Sequence, residues 1–237
     1  RFDLSKGFTQ VNSGSNVDLW GQYDASRIAI LKHYADVVWA ANEDAYVILE
    51  HFAANSEEIE LHAYGNGMLF WSGAGVHHQY LEGAMGYNSD FTGASYTSRG
   101  WTQPNLVAYM ESHDEERMMF KNLQFGNSTG GYNVRNFLTA LKRVELASAL
   151  FYPIPGPKML WQFGELGYDF PINYCPDGTI AEGCRVADKP IRWDYLDSPN
   201  RTRIYDVKRA LIELKTTYDA FSTTNFQLFL QGPTKRI

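Results

Sequence analysis

The feature that most constrains this chain is its alternation of short apolar runs with stretches of helical periodicity. Residues 45–49 (AYVIL), 67–71 (GMLFW), 106–112 (LVAYMES) and 158–163 (KMLWQF) read as near-continuous apolar runs, the pattern of strands covered on both faces. With 1–5 (RFDLS), they make five expected strands. Helical patterns fill the gaps. Asp24 stands where an N-cap belongs, ahead of Ile28, Leu31, Tyr34, Ala35, Val38 and Trp39 at spacings of three and four. A second helix opens at Ser56, with Glu57 and Glu58 in a first turn that favours negative charge. Others are expected at 76–85, at 115–121, and behind Asn133 as the cap of a long helix carrying Val134, Phe137, Leu138, Leu141, Val144 and Ser148, halted by Pro153 and Pro155. The last runs over 200–218 with Ile204, Val207, Leu211 and Leu214 on one face. Strands alternating with helices build parallel βα units, so the fold class is α/β.

Two architectures fit that order. An open doubly wound sheet calls for a Gly-rich phosphate turn after its first strand, and neither GxGxxG nor GxxxxGK[ST] occurs. Polar and charged residues instead gather immediately after the strands, where active sites of βα barrels lie. A net charge of -6 argues against a nucleic-acid partner. No apolar run approaches the roughly 18 residues of a membrane span. Aromatic residues at 15% suit stacking on flat neutral ligands such as sugars, and equally suit a packed core. Cys175 and Cys184 lie nine apart in a loop-like NYCPDGTIAEGC segment; they close a small disulfide in an oxidising compartment, or remain two free thiols. A disulfide implies a secreted or periplasmic protein.

Acidic residues occupy matching places on three of the expected strands. Asp3 follows Arg1 by two, so on an extended strand both side chains share a face and an ion pair holds the carboxylate ionised. Glu50 ends an apolar run, where desolvation raises a carboxyl's pKa and keeps a proton available. Asp114, with His113, ends the 106–112 run. In a barrel these strand ends face one cleft. Two carboxyls flanking a bond, one nucleophile and one acid, are what glycoside hydrolysis requires, about 5 to 5.5 Å apart when configuration is retained.

RFDLSKG, VILEHF and YMESHDEER, in this order, resemble three signatures of the α-amylase family of glycoside hydrolases (family thirteen), and PGPKMLWQFGELGYD resembles that family's eighth strand with its Gly-Glu-x-Gly turn. The resemblance covers nearly the whole chain. It implies a partial TIM (β/α)8 barrel, strands four to eight with their helices, over residues 1–220, and the start of a C-terminal β-domain over 221–237. It implies retaining hydrolysis of α-1,4-glucosidic bonds in starch or related α-glucans, with Asp3 as nucleophile, Glu50 as acid/base and Asp114 with His113 gripping sugar hydroxyls. Arg1, Lys6 and His51 are the further substrate-binding candidates. Calcium enters through the family's histidine carbonyl four residues beyond the nucleophile, where this chain has Gly7. The first three strands and their Asn-His signature are missing, so the chain is expected to be cut from something longer, to have little activity alone, and to self-associate through exposed barrel edges.

Plainer readings stand beside these. Each acid alone is an ordinary surface carboxylate, and His51 serves as well in packing as in a cleft. Trp71 and Phe52 suit core packing better than sugar stacking, and His62, His77 and His78 read as surface or packing residues. Glu165 reads as fixing a loop. The same residues also serve a glucanotransferase or branching enzyme, in which a sugar replaces water as acceptor, or a non-catalytic α-glucan-binding fragment.

Overall fold

The computed structural model describes residues 1–71, 75–232 and 234–237. The chain divides into two units, one of Arg1–Gly75 with Gly93–Ala108, the other of Val76–Thr92 with Tyr109–Ile237.

The first unit opens on a correction. Residues 1–5 form no full strand: Phe2 makes a single parallel bridge to Leu49, and the chain leaves the sheet at Leu4, whose φ of 39° starts the 3-10 turn Ser5–Phe8. Helix α1 (Ala25–Ala41) starts where expected, because the Asp24 carboxylate accepts from the amides of Ser26 and Arg27. It buries Ile28, Leu31 and Ala35, while Tyr34 stays exposed and stacks on Phe2. Strand β1 (Ile48–Leu49), helix α2 (Asn55–His62) and strand β2 (Leu69–Trp71) follow, then strand β3 (Leu106–Tyr109). All pairings here are parallel: Ile48 lies opposite Leu69, and Phe70 opposite Leu106. Leu49, Leu61, Met68, Phe70, Trp101 and Leu106 make the core. Glu57 and Glu58 sit in the first turn of α2 as expected, but they are buried and paired with Arg27 and Arg99 rather than solvated.

The second unit holds Tyr109, the last residue of β3, and the strand β6 (Lys158–Met159). Its helices are α3 (Val76–Met85), α4 (Met118–Phe125), α5 (Phe137–Phe151) and α6 (Pro199–Thr217). Strands β4 (Ser128–Thr129) and β5 (Tyr132–Asn133) form a hairpin. Gly130 and Gly131 supply the positive φ values, 59° and 85°, that a two-residue turn demands. Asn133 is therefore in a strand, and Asn136 is the residue that caps α5, accepting from the amides of Leu138 and Thr139. Tyr80 stacks on Phe91 with ring centroids 4.2 Å apart and meets Phe151 edge-on, joining α3 to α5. On α6 the inward face carries Arg201 and Lys208 beside Ile204, while Leu214 is exposed. Cys175 and Cys184 are disulfide-bonded. Among the described residues no helix is long and apolar enough to cross a membrane.

Candidate active site

In the first unit, parallel pairing brings Asp3 and Glu50 together. Glu50 donates its amide to the Phe2 carbonyl at 3.0 Å, and the Ser5 amide returns to the Glu50 carbonyl at 2.7 Å. The two acids therefore follow the bridged pair Phe2 and Leu49 at the same level. Arg1 joins them: its Nη2 lies 2.7 Å from Asp3 Oδ1 and 3.7 Å from Glu50 Oε2, and its guanidinium rests over the Trp71 ring at 4.9 Å.

Their surroundings differ. The Asp3 side chain is 75% exposed, that of Glu50 only 7%. Burial raises the Glu50 pKa, a hydrogen bond with Asp3 raises it further, and the Leu4 amide with the Arg1 charge opposes them without prevailing. Glu50 thus holds its proton above the usual carboxylate range, as an acid must. A carboxylate oxygen of Asp3 lies within 4.8 Å of one of Glu50, somewhat under the about 5 to 5.5 Å of a retaining pair holding a sugar between them. Leu4 (39°), Phe52 (51°) and, after β6, Phe163 (56°) have left-handed φ values without being glycine. Such strain concentrates where a scaffold aims functional groups.

Beneath the two acids lies a sealed polar network. His51 Nδ1 meets Ser5 Oγ at 2.9 Å, and His51 Nε2 meets Glu57 Oε2 at 2.8 Å. Arg27 Nε donates to Glu57 Oε2 at 3.0 Å, while its Nη2 donates to Glu57 Oε1 and, at 2.7 Å, to the Gln22 carbonyl. Ser5, Arg27, His51 and Glu57 are all buried. Both ring nitrogens of His51, one of the substrate-binding candidates, are thus engaged inward. Lys6 keeps a half-buried side chain, and its carbonyl accepts from Arg27 Nη1 at 2.8 Å. The Trp20 carbonyl accepts from the same nitrogen at 3.0 Å. Both carbonyls thus converge on the chain's own cation. An arginine and a glutamate 30 positions apart give no joint signal in sequence.

In the second unit, His113 and Asp114 end the segment after β3. His113 Nε2 lies 3.7 Å from Asp114 Oδ2, and the imidazole packs against Trp161. The Asp114 amide donates to Ser112 Oγ at 3.1 Å, and Ser112 Oγ in turn donates to Glu115 Oε2. Glu115 also accepts from the Tyr109 hydroxyl at 3.0 Å. His77 stacks on Tyr109, and burial, then His78, push its pKa down to about 4, so it serves packing. Arg185 donates to the Asp114 carbonyl and lies 3.4 Å from its Oδ1. Sequence reading missed Arg185, whose one signal was its place next to Cys184.

The Gly-Glu-x-Gly turn has a steric cause. A Cβ on Gly164 would stand 2.5 Å from Glu111 Oε2, and Gly167 adopts a φ of 67° against Leu141 and Ile204. Glu111 is buried with Lys208, and desolvation drives each toward its neutral form.

No protein-family model matches the chain. No curated protein sequence matches it either. Among solved structures its fold is similar to that of the cyclic α-maltosyl-(1→6)-maltose hydrolase from Arthrobacter globiformis, in complex with cyclic α-maltosyl-(1→6)-maltose. The TM-score is 0.51 at 16% identity, over 82% of this chain and 38% of that one. The chain thus spans well under half the length of that structure, and at this identity the likeness speaks for the fold.

Proposed function

We propose that this chain supplies strands four to eight of an α-amylase-like catalytic barrel and performs retaining hydrolysis of α-1,4-glucosidic bonds in starch or related α-glucans. The observation that carries this reading is the unequal pair Asp3 and Glu50: one carboxyl exposed and held by Arg1, the other buried with its pKa raised. The four motifs in family order and the fold likeness to a glycoside hydrolase support it.

On this reading Asp3 Oδ attacks the anomeric carbon while Glu50 gives its proton to the departing glycosidic oxygen, leaving a covalent glycosyl ester on Asp3. Glu50, now ionised, takes a proton from a water whose oxygen displaces Asp3, and both groups return to their starting forms. Arg1 orients Asp3 and balances its charge, Lys6 donates to a sugar hydroxyl, and Asp114 with His113 grips the ring. The same reading takes 1–220 as barrel and 221–237 as the start of a β-domain. It also places the protein in a secreted or periplasmic setting, which the disulfide suits.

The test is turnover of starch by an enzyme carrying all eight strands. Asp3→Asn and Glu50→Gln are each expected to lower kcat by at least about a thousandfold, and the first product released is expected to be the α-anomer by proton NMR. Near-normal rates in either variant, or a β-anomer, would sink the assignment.

A further inference from the structure

Within the second unit, the loop after β6 touches the turn bearing Asp114 at two points. Glu116 Oε1 accepts the Ile172 amide at 2.9 Å, and Arg185 Nη2 donates to the Asp114 carbonyl while lying 3.4 Å from its Oδ1. Between these anchors the chain makes an excursion over 173–184. The Cys175–Cys184 disulfide closes its base, with Cα atoms 5.2 Å apart. A small hairpin fills it: Tyr174 bridges Ile180, the Cys175 amide donates to the Thr179 carbonyl at 2.8 Å, and the Ala181 amide to the Asn173 carbonyl at 3.0 Å. Beyond it, Lys189 Nζ fastens the Cys184 and Ala187 carbonyls, each at 2.7 Å.

The disulfide therefore shortens the covalent path between the two anchors. Through it, Arg185 is tied to Ile172 by a few residues instead of the whole excursion. A short tether holds a group at high effective concentration beside its partner, and a longer one lets it wander. The Asp114 backbone is held from within its own turn, by Ser112 and by Arg117 Nη1 on the Ser112 and Glu115 carbonyls, and from outside it by Arg185 Nη2 on the Asp114 carbonyl. Its half-exposed carboxylate is flanked by His113 on one oxygen and Arg185 on the other.

We propose that Arg185 is a positioning residue for Asp114 and that the Cys175–Cys184 disulfide makes it one, so that the grip on an α-glucan ring weakens when the disulfide opens. The proposal rests on the reading of Asp114 as a sugar-gripping acid. A dithiol opens the link by a balanced exchange: its two thiols become a disulfide, and the two cysteines each gain a proton and an electron.

The test uses Arg185→Gln, Arg185→Lys, the pair Cys175→Ser with Cys184→Ser, and the unaltered chain with and without dithiothreitol. Backbone hydrogen exchange over 112–116 and calorimetric binding of maltoheptaose are measured on each. Arg185→Gln, the serine pair and dithiothreitol are each expected to speed exchange in that segment and weaken binding about tenfold, and combining the first two adds little, because both remove one linkage. Arg185→Lys restores part of the binding, since it keeps the charge without the planar fork. Arg185 is half-exposed, so its glutamine variant keeps the test decisive if the serine pair fails to fold. Unchanged exchange in Arg185→Gln, or effects that multiply on combination, overturn the positioning role. An unaltered chain that binds no maltoheptaose, while exchange responds as expected, overturns the role given to Asp114 and leaves the clip standing.

Discussion

His51 Nδ1 lies 2.9 Å from Ser5 Oγ, and both residues are shut off from solvent. Ser5 also lies against the Glu50 carbonyl through both its amide and its hydroxyl, so the turn after Asp3 and the end of β1 share one polar stitch. Removing the hydroxyl leaves a buried imidazole nitrogen without this partner. Ser5→Ala is expected to cost about 1–3 kcal/mol, read from the urea midpoint at constant slope. A change below about 0.3 kcal/mol would mean that the stitch contributes nothing.

Glu57 accepts from Arg27, from His51 and, at 2.6 Å, from the Asp24 amide. Burial raises its pKa, but the hydrogen bonds from His51 and Arg27 outweigh this and hold it low. Breaking a buried pair by neutralising one partner typically costs about 3–5 kcal/mol. Glu57→Gln is therefore expected to be far more damaging than a double change of Arg27 and Glu57 to apolar residues of similar volume, and equal losses in denaturant titrations would contradict that.

Glu50 carries the opposite sign. Its proton is bound more tightly in the folded chain than at the ordinary value of 4.5, so stability declines as pH rises from 4.5 through the folded value and stays lowered above it. Glu50→Gln removes that burden. Its melting temperature is expected to exceed the parent's by about 2–4 °C at pH 8, with the gap closing near pH 4. A variant less stable at pH 8 than at pH 4, relative to the parent, would contradict the raised value.

Asp24 caps α1. Burial raises its pKa, yet bonds from the Ser26 and Thr9 hydroxyls and from the Arg27 and Ser26 amides bring it down to about 2. The cap's contribution is complete above 3.8 and disappears as pH falls toward 2. Asp24→Ala is expected to cost about 1 kcal/mol at neutral pH and to flatten acid unfolding between pH 4 and 2, followed by circular dichroism.

Gly164 faces a carboxylate that cannot retreat, because Glu111 Oε1 already accepts the Met118 amide at 2.6 Å. Gly164→Ala is expected to destabilise the chain by about 1–3 kcal/mol. Pairing it with Glu111→Ala should recover part of that loss, and a strictly additive pair would show that the clash is not the cause.

Local chemistry was legible in the sequence wherever neighbours along the chain decide it. The α1 start at Asp24, the α3 span, the Arg1–Asp3 pair and the strand positions of β1, β2 and β3 all follow from short-range pattern. The errors fall where a distant residue intervenes. The first five residues read as a strand, but Leu4 turns out of the sheet and Ser5 is drawn to Glu50 and His51. Asn133 reads as the cap of the long helix, but the hairpin claims it and Asn136 takes that place. On α6 the apolar face was expected to carry Ile204, Val207, Leu211 and Leu214, whereas Arg201 and Lys208 are buried beside Ile204 with Asp169 and Glu111 as their partners.

The sequence by itself determined the order of βα units, the acids at their ends and the spacing that let two cysteines join, because these depend on residues a few positions apart. Tertiary structure alone decided which of those acids is wet and which dry, that His51 turns inward, and that Arg185 reaches Asp114. Desolvation and ion pairing act through space, and groups that impose them here, Arg1 on Glu50, Ser5 on His51 and Arg185 on Asp114, lie tens of residues away along the chain.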